Sequence, residues 1–332
     1  MVNKVTYIES TGVNPYKNLA IEEYLFSRCE EDEAILYLWQ NQNTIVIGRN
    51  QNAWKECRIS RIEEDGAVIA RRLSGGGAVY HDLGNLNFTF LVRKENYDLK
   101  KQLQVILKAV QKLGIQAEAS GRNDILVEGQ KFSGNAFHEH KGHCYHHGTL
   151  MVNVKLDELN KYLNVSKKKL ESKGIASVRS RVTNLLSYNP KITIEQLKMA
   201  LKETFEEVYG FESKVMKEDE LDQKEVKSLY EKYSSWDWIY GRQFEFQYEV
   251  SERFAWGQVD IQFKVDSGMI TDVAVYSDSL KPEVIQEISE RLRDIRYNNQ
   301  GMGDRIAELH SEDEQKEQMF RDVEGWLRAV EL

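Results

Sequence analysis

Two periodicities organise the apolar residues of this chain. Residues 3–9 read as a short strand. Over residues 14–27, Leu19, Ala20, Tyr24 and Leu25 recur at helical spacing. Residues 34–39 and 44–47 are apolar and β-branched and predict two strands, the second ended by Gly48. Over 85–92, Phe88, Phe90 and Val92 alternate with polar residues and predict another strand. Residues 99–113 predict an amphipathic helix stopped by Gly114, and 125–128 and 148–153 predict further strands. Residues 194–209 predict another helix, again followed by glycine.

The chain then changes character. Residues 217–234 are densely charged and suit a solvated helix or a linker. From Phe244 a fresh strand pattern begins: Phe244, Phe246, Tyr248 and Val250 alternate, then Val259, Ile261, Phe263 and Val265. A turn at Asp266-Ser267-Gly268 leads into Ile270, Val273 and Val275. Helices are predicted near 282–293 and 304–330. The expected organisation is therefore a large domain over 1–243 and a small α+β domain of three strands and two helices over 244–332. The fold class is α+β.

Composition narrows the function. A net charge of −8 argues against a general nucleic-acid binder, which needs a basic face. The three cysteines, Cys29, Cys57 and Cys144, are too few and too scattered for a disulfide framework or a C-x-x-C zinc site. The opening Met-Val-Asn-Lys-Val-Thr-Tyr has no apolar core of a secretory signal. No apolar run approaches the ~18 residues of a membrane span. A cytoplasmic protein with no membrane partner is expected.

Three segments carry candidate chemistry. In Arg71-Arg72-Leu73-Ser74-Gly75-Gly76-Gly77-Ala78-Val79-Tyr80-His81-Asp82, three glycines leave backbone amides uncovered for phosphate oxygens, beside two arginines suited to anions. The segment fits neither the P-loop nor the G-x-G-x-x-G pattern. On its own it reads equally as a flexible turn with a solvated arginine pair. In Asp124 to Lys131, a hairpin would bring the carboxylate and the ammonium together. The carboxylate is then available to Mg²⁺ and the ammonium to a reacting carboxylate and phosphoryl oxygen. A turn aspartate and a surface lysine are the plainer reading. In His143-Cys144-Tyr145-His146-His147-Gly148-Thr149 the histidine spacing is not that of H-E-x-x-H, so packing and hydrogen bonding are expected rather than metal ligation.

Taken together, these segments resemble the lipoate-protein ligase A family of the biotin/lipoate ligase superfamily. The resemblance runs through Asn18 to Glu23, Val46 to Asn52, Trp54 to Cys57, Arg71 to Asp82 with Gly84-Asn85, Gly121 to Asp124 and Lys131-Phe132-Ser133-Gly134. It continues through His146 to Thr149, residues 174–184, Ser235 to Trp238 and Glu252 to Phe254. It implies a large catalytic domain of mixed sheets flanked by helices and a small C-terminal accessory domain. It further implies that Arg72, Gly75, Gly76, Gly77, Ala78, Val79, Tyr80 and Lys131 bind ATP or the adenylate. Lys131, Arg72 and Gly77 bind lipoate, Lys131 is catalytic, and Asp124 is a Mg²⁺ ligand. Leu73, where the family often has a small polar residue, and His143-Cys144-Tyr145 depart from the family pattern.

The implied activity is ATP-dependent: lipoate is activated to lipoyl-AMP and passed to a lysine of an acceptor domain, either a 2-oxoacid dehydrogenase E2 subunit or the glycine cleavage H protein. ATP, Mg²⁺ and lipoate are the expected small molecules, with no tightly bound prosthetic group. Three competing readings stand beside it. An octanoyl or lipoyl transferase of the same fold would need an activated cysteine, for which Cys144 is the candidate. A biotin ligase would need a glycine-arginine loop that is absent. A silent lipoyl-AMP binding module would not need the Lys131 segment.

Overall fold

Strand β6 (Asn85–Arg93) shows why the main sheet forms. Leu86, Phe88, Phe90 and Val92 enter one apolar core, while Asn85, Asn87 and Thr89 take the alternate positions and face the other side. The structure, a computed structural model, describes residues 1–121, 123–164, 182–241 and 246–332. β6 lies in an eight-stranded sheet with β1 (Lys4–Glu9), β2 (Glu33–Trp39), β7 (Glu118–Ser120), β8 (Asp124–Val127), β9 (Gln130–His140), β10 (His143–Met151) and β11 (Ser213–Met216). The order is β11-β1-β2-β6-β10-β9-β8-β7. β1 runs parallel to both β2 and β11, and the other pairs are antiparallel, so the sheet is mixed. A second sheet joins β3 (Thr44–Ile47), β4 (Val68–Arg71) and β5 (Val79–His81) in the order β4-β3-β5.

The apolar face of the large sheet is covered by two helices, α2 (Leu99–Lys112) and α3 (Ile194–Tyr209). Val105, Ile106, Val110, Leu197, Leu201 and Phe205 share its core. Local chemistry sets the helix ends. Asp98 caps α2 at the Lys101 amide, Thr193 and Gln196 form a capping box on α3, and Gly210 ends α3 with φ of 82°. Helix α1 (Pro15–Arg28) starts at Asn14, whose side chain accepts from the Tyr16 and Lys17 amides. It lies over the opposite face, where Phe26 packs edge-on against Tyr145 at 5.4 Å between ring centres. Among the described residues, no helix is long and apolar enough to cross a membrane.

The charged stretch 217–234 is not a linker. Its last part is helix α4 (Gln223–Ser234), with Val226 and Tyr233 buried. Lys232 reaches Glu23 of α1 at 2.6 Å, and Arg28 reaches Glu225 at 2.6 Å. Charge density concealed a two-residue apolar contact. β10 and β9 also run longer than the residue pattern predicts, because Lys141-Gly142 joins them in a two-residue turn with both φ positive.

The described residues divide into two compact units. The first holds Met1–Val46, Trp54–Arg71 and Val79–Ile239; the second holds Ile47–Ala53, Arg72–Ala78 and Tyr240–Leu332. Within the second unit an antiparallel sheet runs β12 (Tyr248–Phe254), β13 (Gly257–Asp266), β14 (Met269–Ser277), β15 (Ile295–Arg296). Its helices are α5 (Pro282–Arg291), α6 (Asn299–Ile306) and α7 (Glu314–Ala329). Val259, Ile261, Phe263, Ile288, Met302, Phe320 and Val323 form its core. Among the described residues, the expectation of three strands and two helices is corrected to four and three. The single helix expected over 304–330 is broken, and Asp313 caps a new one by accepting from the Gln315 and Lys316 amides. The pattern residue Phe244 and the expected boundary lie outside the described residues.

Phe88 is wholly buried and its ring lies 5.5 Å from that of Phe90. Phe88→Ala is expected to cost about 3–5 kcal/mol of stability, since the surrounding strands close the cavity only in part. Guanidinium unfolding of the variant checks this, and a loss below about 1 kcal/mol contradicts the packing described.

Candidate functional site

The glycine loop is built around one arginine. The Arg72 Nε donates to Ser74 Oγ at 3.0 Å, and its guanidinium also donates to the carbonyls of Gly75 at 2.7 Å and Gly77 at 2.9 Å. These bonds curl residues 72–77 into a tight turn. The Arg72 guanidinium, expected from the resemblance to face nucleotide, thus supports the loop itself. The three glycines serve different ends. A Cβ on Gly75 would fall 2.1 Å from the Ser279 carbonyl oxygen, so close backbone approach requires glycine there. Gly76 has φ of 90°, a backbone state costly for other residues, and its amide donates to Ser279 O at 2.9 Å. Gly77 is exposed, with nothing within 4 Å of the Cβ position. Gly77 and Ala78 are therefore the part of the loop open to an incoming group. Loop residues Arg72, Gly75, Gly76, Gly77 and Ala78 all belong to the second unit.

The other expected site residues, Val79, Tyr80, Asp124 and Lys131, belong to the first unit. Val79 and Tyr80 lie in β5, paired with Val46 and Ile45, and the Tyr80 hydroxyl donates to Asn43 Oδ1 at 3.2 Å. Arg71, the other arginine, donates to the carbonyls of Trp238 and Ile239, so it secures the chain around residue 238. The Trp238 indole in turn donates to the Arg71 carbonyl at 2.8 Å.

Asp124 and Lys131 meet on the β8–β9 hairpin. Its two-residue turn, Glu128-Gly129, has φ of 50° and 76°, the left-handed pair that matches strand twist. The Lys131 Nζ lies 2.6 Å from Asp124 Oδ1. Both side chains stay about a third exposed, 30% and 37%, so the pair is open to ligands. The lysine backbone is held on its other side as well: Thr183 N donates to Lys131 O at 2.9 Å. The matching stretch 174–184 otherwise lies largely outside the described residues.

The polar face of the large sheet continues from this pair. The register places Asp124, Gly134, Asn87 and Trp39 in successive strands along one row, with Thr149 between Gly134 and Asn87. One row deeper lie Ala136, His147, Thr89 and Tyr37. There Glu22 of α1 is buried; Thr89 Oγ1 donates to its Oε1 at 2.6 Å, and His147 Nδ1 lies 2.8 Å from the same oxygen. The Trp39 indole donates to Thr89 Oγ1 at 3.1 Å. Glu22, Thr89 and Trp39 were not singled out by residue pattern, since a carboxylate in a helix and a threonine in a strand carry no local signal of being buried together.

The histidines behave as packing residues. His146 stacks on Phe137 with ring centres 5.0 Å apart, its Nε2 donates to Asn135 Oδ1 at 2.8 Å, and Nδ1 lies 3.1 Å from the Gln102 side-chain amide. Among the described residues no group of three or more His, Cys, Asp or Glu side chains gathers to hold a metal. Cys144 is buried in the apolar core, and burial pushes its thiol up to about 11. That is the opposite of the lowered value a nucleophilic thiol needs.

This arrangement coincides with a family shown by comparison. Residues 14–206 match the lipoyl protein ligase A/B catalytic domain, and residues 243–327 match the bacterial lipoate protein ligase C-terminus. The chain belongs to the lipoate-protein ligase family, enzymes that join lipoate to proteins. A lipoate-protein ligase A of Bdellovibrio bacteriovorus is 40% identical over 98% of both chains. Among solved structures, P. falciparum LipL1 in complex with lipoate has a TM-score of 0.87 and 33% identity, covering 98% of this chain and 100% of its own. A lipoate-protein ligase A bound with ATP has a TM-score of 0.62 and 27% identity, covering 73% of this chain and 99% of its own. A bipartite ligase of Thermoplasma acidophilum, described with its E2 lipoyl domain, has a TM-score of 0.64 and 28% identity, covering 74% and 98%.

The buried His146 makes the scaffold of this site sensitive to acid. Burial holds its imidazole down to about 3, so the ring stays neutral in the fold while an unfolded chain protonates it near 6.5. The unfolded state then binds more protons below pH 6.5, and stability falls as the pH drops from there toward 3. The expected slope from this group is about 1.4 kcal/mol per pH unit. Unfolding midpoints at pH 7 and pH 5 check it. His146→Gln should flatten that slope, and identical slopes in the two proteins refute the assignment.

Proposed function

We propose that this chain activates lipoate with ATP to lipoyl-AMP and then transfers the lipoyl group to a lysine of an acceptor domain. The observation that carries the reading is the Asp124–Lys131 pair: a lysine ammonium fixed at 2.6 Å by a carboxylate, open to solvent, on the segment shared with the family. Relatives solved with lipoate and with ATP support both small molecules, and the relative described with an E2 lipoyl domain supports such domains as acceptors. The glycine cleavage H protein is proposed as a second acceptor. Three free buried cysteines suit a reducing cytoplasm.

A carboxylate is a poor electrophile, so the first step makes a mixed anhydride. The lipoate carboxylate oxygen attacks the α-phosphorus of ATP, the bond to the bridging oxygen breaks, and pyrophosphate leaves. Charge grows on the α-phosphoryl oxygens, where the Lys131 ammonium supplies a donor. A preorganised donor of this kind is worth about 3–4 kcal/mol of transition-state stabilisation. The acceptor lysine then attacks the carbonyl and AMP leaves, with Lys131 beside the developing oxyanion. Mg²⁺ usually takes one or two protein carboxylates and completes its shell with phosphates and water, and a half-open Asp124 fits that pattern. It would there neutralise phosphate charge and orient the leaving group.

The cysteine-dependent transferase reading loses its candidate nucleophile, since Cys144 is buried with its thiol pushed up to about 11. Cys144→Ser should keep most ATP-dependent ligation, and a thioester trapped on Cys144 without ATP would restore the transferase. The decisive assay is lipoate-dependent ATP–pyrophosphate exchange. Lys131→Ala should lower it by roughly a hundredfold or more, the scale of losing one such donor. Lys131→Arg should not rescue it, because the guanidinium is larger and planar. Near-normal exchange by Lys131→Ala defeats the mechanism.

A further inference from the structure

We propose that Gly134 is a positioning residue for Lys131: the missing side chain at 134 opens the track along which the lysine ammonium reaches its working position. The proposal rests on the role given to Lys131 above.

In a regular strand residues 131 and 134 would face opposite sides, because side chains alternate. Here they do not. Leu126 pairs with Lys131 but Ile125 pairs with Ser133, so Phe132 is an extra residue in β9, and its ring is wholly buried. Such a bulge flips the parity of everything beyond it. Lys131 and Gly134 therefore share one face with Asp124, which pairs directly with Gly134. The lysine runs back over Gly134 to its partner. A Cβ built on Gly134 would lie 3.0 Å from both Lys131 Cε and Nζ.

Conformation does not demand glycine here. Gly134 is not among the residues of positive φ, so a side chain is compatible with its backbone. Space is the only requirement left. The backbone cannot retreat to supply that space. The Gly134 amide donates to Thr149 Oγ1 at 3.2 Å, and its carbonyl oxygen lies 2.7 Å from the Cβ position of Gly148, itself a glycine. Backbone on one side is pinned, and the free end of a lysine on the other is flexible. A methyl at 134 thus displaces the ammonium, leaving the strand in place.

The test compares Gly134→Ala, Lys131→Ala and the double variant, in full-length protein, by lipoate-dependent ATP–pyrophosphate exchange and by thermal melting. A displacement of about 1 Å in a reacting group can cost roughly a hundredfold in rate. Gly134→Ala is expected to approach that loss, and to have no further effect once Lys131 is already alanine. Should Gly134→Ala melt early or fail to fold, the double variant is expected to recover the melting temperature of Lys131→Ala, because the clash has lost its partner. Full exchange activity in Gly134→Ala overturns the proposal. So does a loss of activity or stability that persists undiminished in the Lys131→Ala background, which would make Gly134 a packing glycine. If Lys131→Ala itself is active, the failure lies with the catalytic reading and not with Gly134.

Discussion

Register in the large sheet is the constraint on which the rest depends. Strands β2, β6, β10 and β9 each present one set of alternate residues to the α2–α3 side and the other set to the α1 side. On β6 the two sets are Leu86, Phe88, Phe90 and Val92 against Asn85, Asn87 and Thr89. A slip of one residue would carry phenylalanines to the polar side and asparagines into the apolar core. The cost of burying those amides without partners holds the ladder in place as firmly as the apolar contacts do. Because the register is fixed, the polar rows containing Asp124, Asn87, Trp39, Thr89 and His147 are aligned without any one of them having to seek the others.

The same alternation explains what could be read from sequence. Phe88, Phe90 and Val92 announced their strand by alternating with polar residues, although both faces of β6 are buried, and Leu99 to Leu113 announced a helix by its apolar stripe. The Asp124–Lys131 encounter was legible because only six residues lie between the two around a glycine turn. Other features carried no such signal. β11 is a four-residue strand with two exposed positions. Helix α4 is charged at five of its twelve positions, and its docking rests on Val226, Tyr233 and ion pairs to helix α1, far away in sequence. The guanidinium of Arg72 illustrates the limit for site residues. Sequence shows an arginine beside glycines; only the folded loop shows it donating to Ser74, Gly75 and Gly77.

Glycine does several distinct things in this chain. Gly75 admits a neighbouring carbonyl, Gly76 and Gly129 adopt left-handed backbone, Gly148 lets strand β9 approach, and Gly77 leaves a surface bare. A run of glycines in sequence looks uniform, yet Gly75 is required by a close carbonyl, Gly76 by its backbone conformation, and Gly77 by neither.

The hairpin at Glu128-Gly129 has a consequence for how the enzyme tolerates change. Both members of the ion pair ride on one continuous piece of about ten residues, closed by a turn of its own. Their separation is set by that local ladder and not by how distant elements of the chain settle against each other. Substitutions away from the hairpin and from the residues that brace it, Thr149, Gly148 and Thr183, can then accumulate without detuning the pair.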